Sequence, residues 1–225
     1  MKLWLIVATF ILCTQTALAG VLEIEEMKVS VFVTDKAHVK YELKLRNTID
    51  KPLVPGISEL RLQKVENTKI LFLPIPIGEQ RKAVEIENLR AYSGNLNFKT
   101  SVEHFSDYTT IYYEVWYPIE PFGERTVTIE FDADLVDRGL VFKSVTIPVG
   151  GDVDIKRLDL NINSDWRLCY FEGDVRSVPA NHIAFLTAEF TILPLPLLPL
   201  RGYVLFWGSL VISIAFLAFL AWMRK

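Results

Sequence analysis

The residues that could do chemistry are few. Three histidines, His38, His104 and His182, are scattered over 225 residues. None stands at metal-ligand spacing or beside a recognisable nucleophile motif. The sequence therefore offers no catalytic residue and no cofactor. An envelope enzyme whose groups converge only in space is the remaining enzymatic reading. Two acidic pairs, Asp132-Ala133-Asp134 and Asp152-Val153-Asp154, could in principle converge on calcium, which takes several oxygens at about 2.3–2.6 Å. Neither carries the glycine and terminal glutamate of an EF-hand loop, so turn-forming aspartates are the expectation and no metal is predicted. The third feature is aromatic. Tyr108, Tyr112 and Trp116 share one face of an alternating strand, opposite Ile111, Tyr113 and Val115, at intervals of about 13 Å. Exposed aromatic rows stack on sugars or anchor proteins. The favoured expectation is that later strands cover this row, because three large aromatics are seldom left bare.

Period-two alternation supplies the elements that position these residues. Val39 to Arg46 sets Val39, Tyr41, Leu43 and Leu45 against Lys40, Glu42, Lys44 and Arg46, the pattern of a half-buried antiparallel strand. Met27, Val29, Val31 and Val33 repeat it, joined through the polar turn Thr34 to Ala37. Further strands are predicted at 60–62, 70–73, 84–89, 98–102, 109–117 and around 127–131, then at 141–147, 153–162, 166–171 and 183–192. Turn residues separate them, including Pro52, Pro55-Gly56, Pro74, Pro76, Ser93-Gly94-Asn95, Pro118, Pro121 and Gly123. Many short strands with no 3.6-period helix among them predict an all-β, antiparallel β-sandwich. Asp134 to Gly139 is the best boundary, giving an N-terminal sandwich over 20–134 and a C-terminal β domain over 135–192. The second piece is thin, so it is expected to pack on the first or to complete its sheets.

Leu45-Arg46-Asn47-Thr48-Ile49-Asp50-Lys51-Pro52-Leu53 resembles the strand-to-loop passage of CARDB-type Ig-like domains of prokaryotic surface proteins. Pro121-Phe122-Gly123-Glu124-Arg125-Thr126-Val127-Thr128-Ile129 is similar to their late turn and strand. Ile49 stands where such domains usually carry glycine. The resemblance spans roughly 39–131 and implies an Ig-like sandwich, without implying a function.

The ends read as targeting and anchoring. Lys2, the apolar run Leu3 to Leu12 and the small residues Ala17 and Ala19 make residues 1–19 a signal peptide cleaved between Ala19 and Gly20. Residues 193–201 form a Pro/Leu-rich stalk, too proline-dense for helix or sheet. Gly202 to Trp222 is free of charge and long enough, at about 1.5 Å per residue, to cover a hydrocarbon core of about 30 Å. Arg224 and Lys225, in a tail over 223–225, place the C-terminus in the cytoplasm. Ser209 and Ser213 form a small-xxx-small pair that permits close helix contact.

The chain carries 24 basic and 27 acidic residues. Lys2, Arg224 and Lys225 lie outside the ectodomain, which is thus more acidic than the whole chain and unsuited to nucleic acid. After cleavage Cys169 is the one cysteine, so no intrachain disulfide is expected. The expectation is a single-pass membrane protein with an extracytoplasmic β ectodomain, acting without catalysis in binding or assembly with a protein partner. The alternative is an accessory subunit of a membrane complex for secretion or glycosylation, docked through its helix.

Overall fold

The computed structural model describes residues 20–70, 73–139, 142–151, 153–192 and 200–223. The expected signal peptide 1–19, most of the stalk, Asp152 and the last two residues lie outside the described residues. The strands are β1 (Leu22–Val33), β2 (Ala37–Asn47), β3 (Gly56–Leu62), β4 (Lys64–Ile70), β5 (Leu73–Lys82), β6 (Ile86–Ser93), β7 (Leu96–His104) and β8 (Thr109–Val115). They continue as β9 (Glu124–Ala133), β10 (Val136–Arg138), β11 (Phe142–Gly151), β12 (Leu158–Ser164), β13 (Arg167–Glu172) and β14 (His182–Thr191). The helix α1 (Leu200–Met223) follows.

β2 shows why these residues make strands. Ala37, Val39, Tyr41, Leu43 and Leu45 are buried, and the charged residues between them point away from the core. Cross-strand pairing keeps like with like: Val39 faces Phe131, Tyr41 faces Ile129 and Leu43 faces Val127 on β9, and β1 repeats the match on the other side. Each such side chain contributes about 1.5–3 kcal/mol on full burial. Tyr41 stacks on Phe131 with ring centroids 6.1 Å apart. Its hydroxyl donates to the Pro148 carbonyl at 3.2 Å, bridging to the opposite sheet. Complete burial raises this phenol far above its ordinary pKa.

An eight-stranded sheet runs β12-β1-β2-β9-β6-β7-β8-β3, and a four-stranded sheet runs β10-β11-β14-β13. Val145, Ile147, Val149, Leu186, Ala188 and Phe190 of the smaller sheet share one buried cluster with the inner face of the larger. The strands after residue 135 therefore build the second layer of the same core, and β12 crosses back to pair with β1.

The β-rich fold agrees with expectation, but several details differ. β1 and β12 are parallel, Met27 facing Leu158 and Val33 facing Ser164, so the larger sheet is mixed rather than antiparallel. Its strand order also departs from the seven-stranded pattern of an Ig-like sandwich. Of the strand expected at 70–73, Ile70 ends β4 and Leu73 begins β5, the two facing each other across a separate two-stranded sheet, and residues 71 and 72 lie outside the described residues. Pro74 and Pro76 lie within β5 rather than in a turn, which an edge strand tolerates. The strand expected from Val153 is interrupted: Ile155 makes an isolated parallel bridge to Ile24, and the continuous strand begins at Leu158.

α1 runs against β5. Its described side chains begin at Gly208, and Val211, Ile212, Ile214, Phe216 and Leu217 are all exposed. Among the described residues, no helix is long and apolar enough to cross a membrane.

Candidate functional site: an aromatic face beside an open sheet edge

β3 is the last strand of the larger sheet and pairs on one side only, with β8. Register fixes the rows on the face away from the core: Ile57 beside Glu114 and Lys99, Glu59 beside Tyr112 and Ser101, Arg61 beside Glu103 with Thr110 buried between them. Directly opposed residues share a face. Tyr108 and Trp116 continue the even-numbered face of β8 at its two ends, as parity predicts, while Ile111 and Val115 are fully buried on the other.

The expected covering does not occur. The four-stranded sheet packs on the face of Ile111, Tyr113 and Val115; on the other face Tyr108 and Tyr112 are half-buried and Trp116 remains 57% exposed. Ile57, beside it on the edge strand, is 61% exposed. The Trp116 indole N–H donates to Glu114 at 2.8 Å, and Lys99 pairs with the same carboxylate at 3.1 Å. The indole and then the ammonium hold the Glu114 carboxyl below its ordinary pKa. The bond to Glu114 engages the indole N–H while the side chain stays exposed. Tyr112 donates to Glu103 at 3.2 Å, and desolvation, then that carboxylate, push its phenol upward. Tyr108 stacks on Phe105 at 4.4 Å, with the Arg61 guanidinium 5.9 Å from its ring centroid.

Sequence reasoning missed Ile57 by reading Pro55-Gly56 as a turn. Gly56, at φ +80°, instead opens β3. It also missed the seam behind this edge. A cavity of about 190 Å³ is lined by Tyr41, Leu43, Leu60, Tyr113 and Ile129, and it reaches Gly150 and Gly151 on β11. A second of about 180 Å³ shares Glu59, Leu60, Gly150 and Gly151 with it. Gly150 is required there, since a Cβ would sit 2.0 Å from the His182 carbonyl oxygen and φ is +142°. Apolar cavities of about 150 Å³ hold a benzene-sized group, so this seam has room for a group of that size.

The remaining expected residues are not brought together. Asp132 accepts from Asn88 at 2.6 Å and lies 2.7 Å from His38 Nδ1. Asp134 accepts twice from Lys64 at 2.9 Å. Asp154 accepts from the Ala180 N–H at 2.7 Å. Each is engaged by protein donors, and among the described residues no group of three or more His, Cys, Asp or Glu could hold a metal. His104 contacts the Thr109 hydroxyl at 3.1 Å, and His182 the Ala180 carbonyl at 3.0 Å. Cys169 donates to the Glu189 carbonyl at 3.3 Å, and burial raises its thiol.

No protein-family model matches the chain. It is 44% identical over 113 residues to an uncharacterised protein, MJ1395, of Methanocaldococcus jannaschii, covering 49% of this chain and 86% of that one. Among solved structures, a Legionella pneumophila protein described provisionally as nutrient-binding superposes with a TM-score of 0.45 at 8% identity, over 76% of this chain and 67% of its own. An M1 zinc metallopeptidase of Deinococcus radiodurans gives a TM-score of 0.31 at 7% identity, over 76% of this chain and 38% of its own. The chain thus spans well under half of that enzyme, and both likenesses mark a shared β-rich outline alone.

Proposed function

This chain belongs to the family of the Methanocaldococcus jannaschii protein MJ1395, and from that premise we propose a non-catalytic binding module, held at the outer face of a membrane by α1. Its contact surface is the aromatic face of β8 with the edge of β3, and its partner is another protein of the envelope. The observation that carries this reading is that two exposed apolar side chains share one sheet face beside its open edge: Ile57 on the edge strand pairs with Glu114, two residues from Trp116. Trp is enriched at the anchor points of protein interfaces. Glu114 and Lys99 in the row of Ile57, and Glu59 in the next, flank it with charge, as at the polar rim of a protein contact.

The anchor reading rests on composition and exposure together. Gly202 to Trp222 carries no charge, and the exposed side chains from Leu210 to Leu217 occupy every side of the helix. A helix apolar all round requires lipid or a bundle around it. Ser213 donates to the Ser209 carbonyl at 2.8 Å, so its hydroxyl is occupied within the helix and gives little support to docking through a serine pair.

The test is a photoreactive residue at Trp116 in cells, with a second at Phe32 on the same outer sheet face as control. A discrete cross-linked species from position 116 alone is the expected result. No cross-link from position 116, or equal cross-linking from both, would overturn the assigned surface. Release of the protein from membranes by alkaline carbonate would overturn the anchor separately.

A further inference from the structure

An open sheet edge can accept another strand unless its sequence or geometry discourages it, and the edges of this molecule are not alike. β10 has three residues, and β13 carries a register shift between Leu168 and Tyr170. The β4–β5 pair is broken by a register shift and holds Pro74 and Pro76. β3 has none of these features. Its sequence, GISELRL, contains neither proline nor lysine, and Gly56 to Leu62 pair with β8 without a bulge. β12, the opposite edge of the same sheet, is equally regular, but Asp159 is its one charged residue.

The charges of β3 complement their own reversal. Glu59 and Arg61 lie two residues apart on one face, with side chains 31% and 54% exposed, and the Arg61 guanidinium donates to Glu59 at 2.7 Å. A guanidinium has five N–H donors, so that bond leaves capacity for a second carboxylate. When a second β3 runs antiparallel with Leu60 opposite Leu60, Glu59 of each copy faces Arg61 of the other. Centring the pair on Glu59 or on Arg61 instead would oppose like charges. Directly opposed unlike charges stabilise a sheet and like charges destabilise it.

The inner side of the edge has room. A cavity of about 180 Å³ is lined by Glu59, Leu60 and Arg61 and, across it, by Pro148, Gly150 and Gly151. Successive strand residues point to opposite faces, so a space touched by three in a row runs along the edge of β3. Leu60 of a second copy, opposed to Leu60 of the first, projects toward that space.

We infer that a second copy of this chain occupies the edge of β3, antiparallel and in register about Leu60, joining two eight-stranded sheets across a two-fold axis. The pairing is isologous, the same strand supplying both sides. It uses the open edge of the surface proposed above but not Trp116, which lies on β8, one strand in from the joint.

Sedimentation equilibrium of the full chain in a density-matched mild detergent tests it. The unaltered chain should be a dimer. Glu59→Arg or Arg61→Glu alone should raise the dissociation constant about tenfold or more, since each sets like charges across the joint. An equimolar mixture of the two variants should dimerise like the unaltered chain, because every opposed pair is again of opposite sign, and so should the double variant Glu59→Arg/Arg61→Glu. Recovery in the mixture also excludes misfolding as the cause of the single-variant loss. A monomeric unaltered chain would overturn the inference. A dimer unmoved by either single change would place self-association elsewhere and overturn it equally. Weakened single variants that fail to recover in the mixture would overturn the register, and the inference with it. The position-116 cross-link judges the partner at Trp116 separately from all of these results.

Discussion

Around His38 the outward side chains of β2, β9 and β6 pair with one another, whereas around Trp116 the polar groups of β3, β7 and β8 pair but leave Trp116 and Ile57 exposed. Both patches lie on the outer face of the same eight-stranded sheet and follow the same alternation. In the first, Asp132 contacts His38 and Asn88, Glu130 lies 3.4 Å from His38 Nε2 and 3.6 Å from Arg90, and Lys36 reaches Glu87 at 2.7 Å. In the second, the charged neighbours flank Trp116 and Ile57, whose side chains remain exposed. A row of paired charges is a solvated surface worth little to stability or binding. An exposed indole beside an open edge is the more informative feature, because its desolvation awaits a partner.

The comparison can be broken from beneath. Ile111 is fully buried under the aromatic face, and Ile111→Asp places a carboxylate without a partner in the core, which costs several kcal/mol. Loss of the cooperative thermal transition is the expected outcome. A folded Ile111→Asp protein would show that the two faces of β8 are not distinct.

A smaller effect sharpens it. Trp116→Ala removes an exposed ring, and surface substitutions usually stay within about 0.5 kcal/mol. Calorimetry should find near wild-type melting, with the cross-link at the aromatic face lost when the photoreactive residue is moved to Ile57. Destabilisation of about 3–5 kcal/mol, the cost of a buried aromatic, would mean that the indole is covered after all.

The smallest effect concerns the charged patch. The Asn88 amide, then His38, hold the Asp132 carboxyl below its ordinary pKa. A lowered folded-state value contributes stability above the unfolded carboxylate pKa of about 3.9. That contribution is lost as pH falls through the folded-state value. Asp132→Asn should change stability near neutrality by no more than a few tenths of a kcal/mol and flatten the acid limb of melting temperature against pH. An unchanged acid limb would show that Asp132 carries none of this dependence.

Alternation made β2, β9 and the parity of Tyr108, Tyr112 and Trp116 legible, because period two is local and each residue reports its own face. What covers a face is not local. Nothing in Thr109 to Tyr117 says whether the later strands lie over Trp116 or over Ile111, and the expectation chose wrongly. Prolines misled at β5, where Pro74 and Pro76 were read as a turn although an edge strand tolerates them. The partner of β1 was out of reach for the same reason as the covering, since parallel pairing leaves no hairpin signal between the two strands. The seam behind β3 depends on the close approach of β14 to Gly150, which the pair Gly150-Gly151 signals only as a turn.

The parallel pairing of β1 with β12 also sets a schedule. Ser164 donates to the Val33 carbonyl across 131 residues of chain, and at about 5–20 residues per second synthesis takes on the order of ten seconds to deliver that strand. Throughout that interval β1 has one neighbour and an open ladder of donors and acceptors, the arrangement that templates strand addition by other chains. The larger sheet therefore closes late, and a chain halted before Leu158 carries a sticky first strand, whatever the quality of the core already formed.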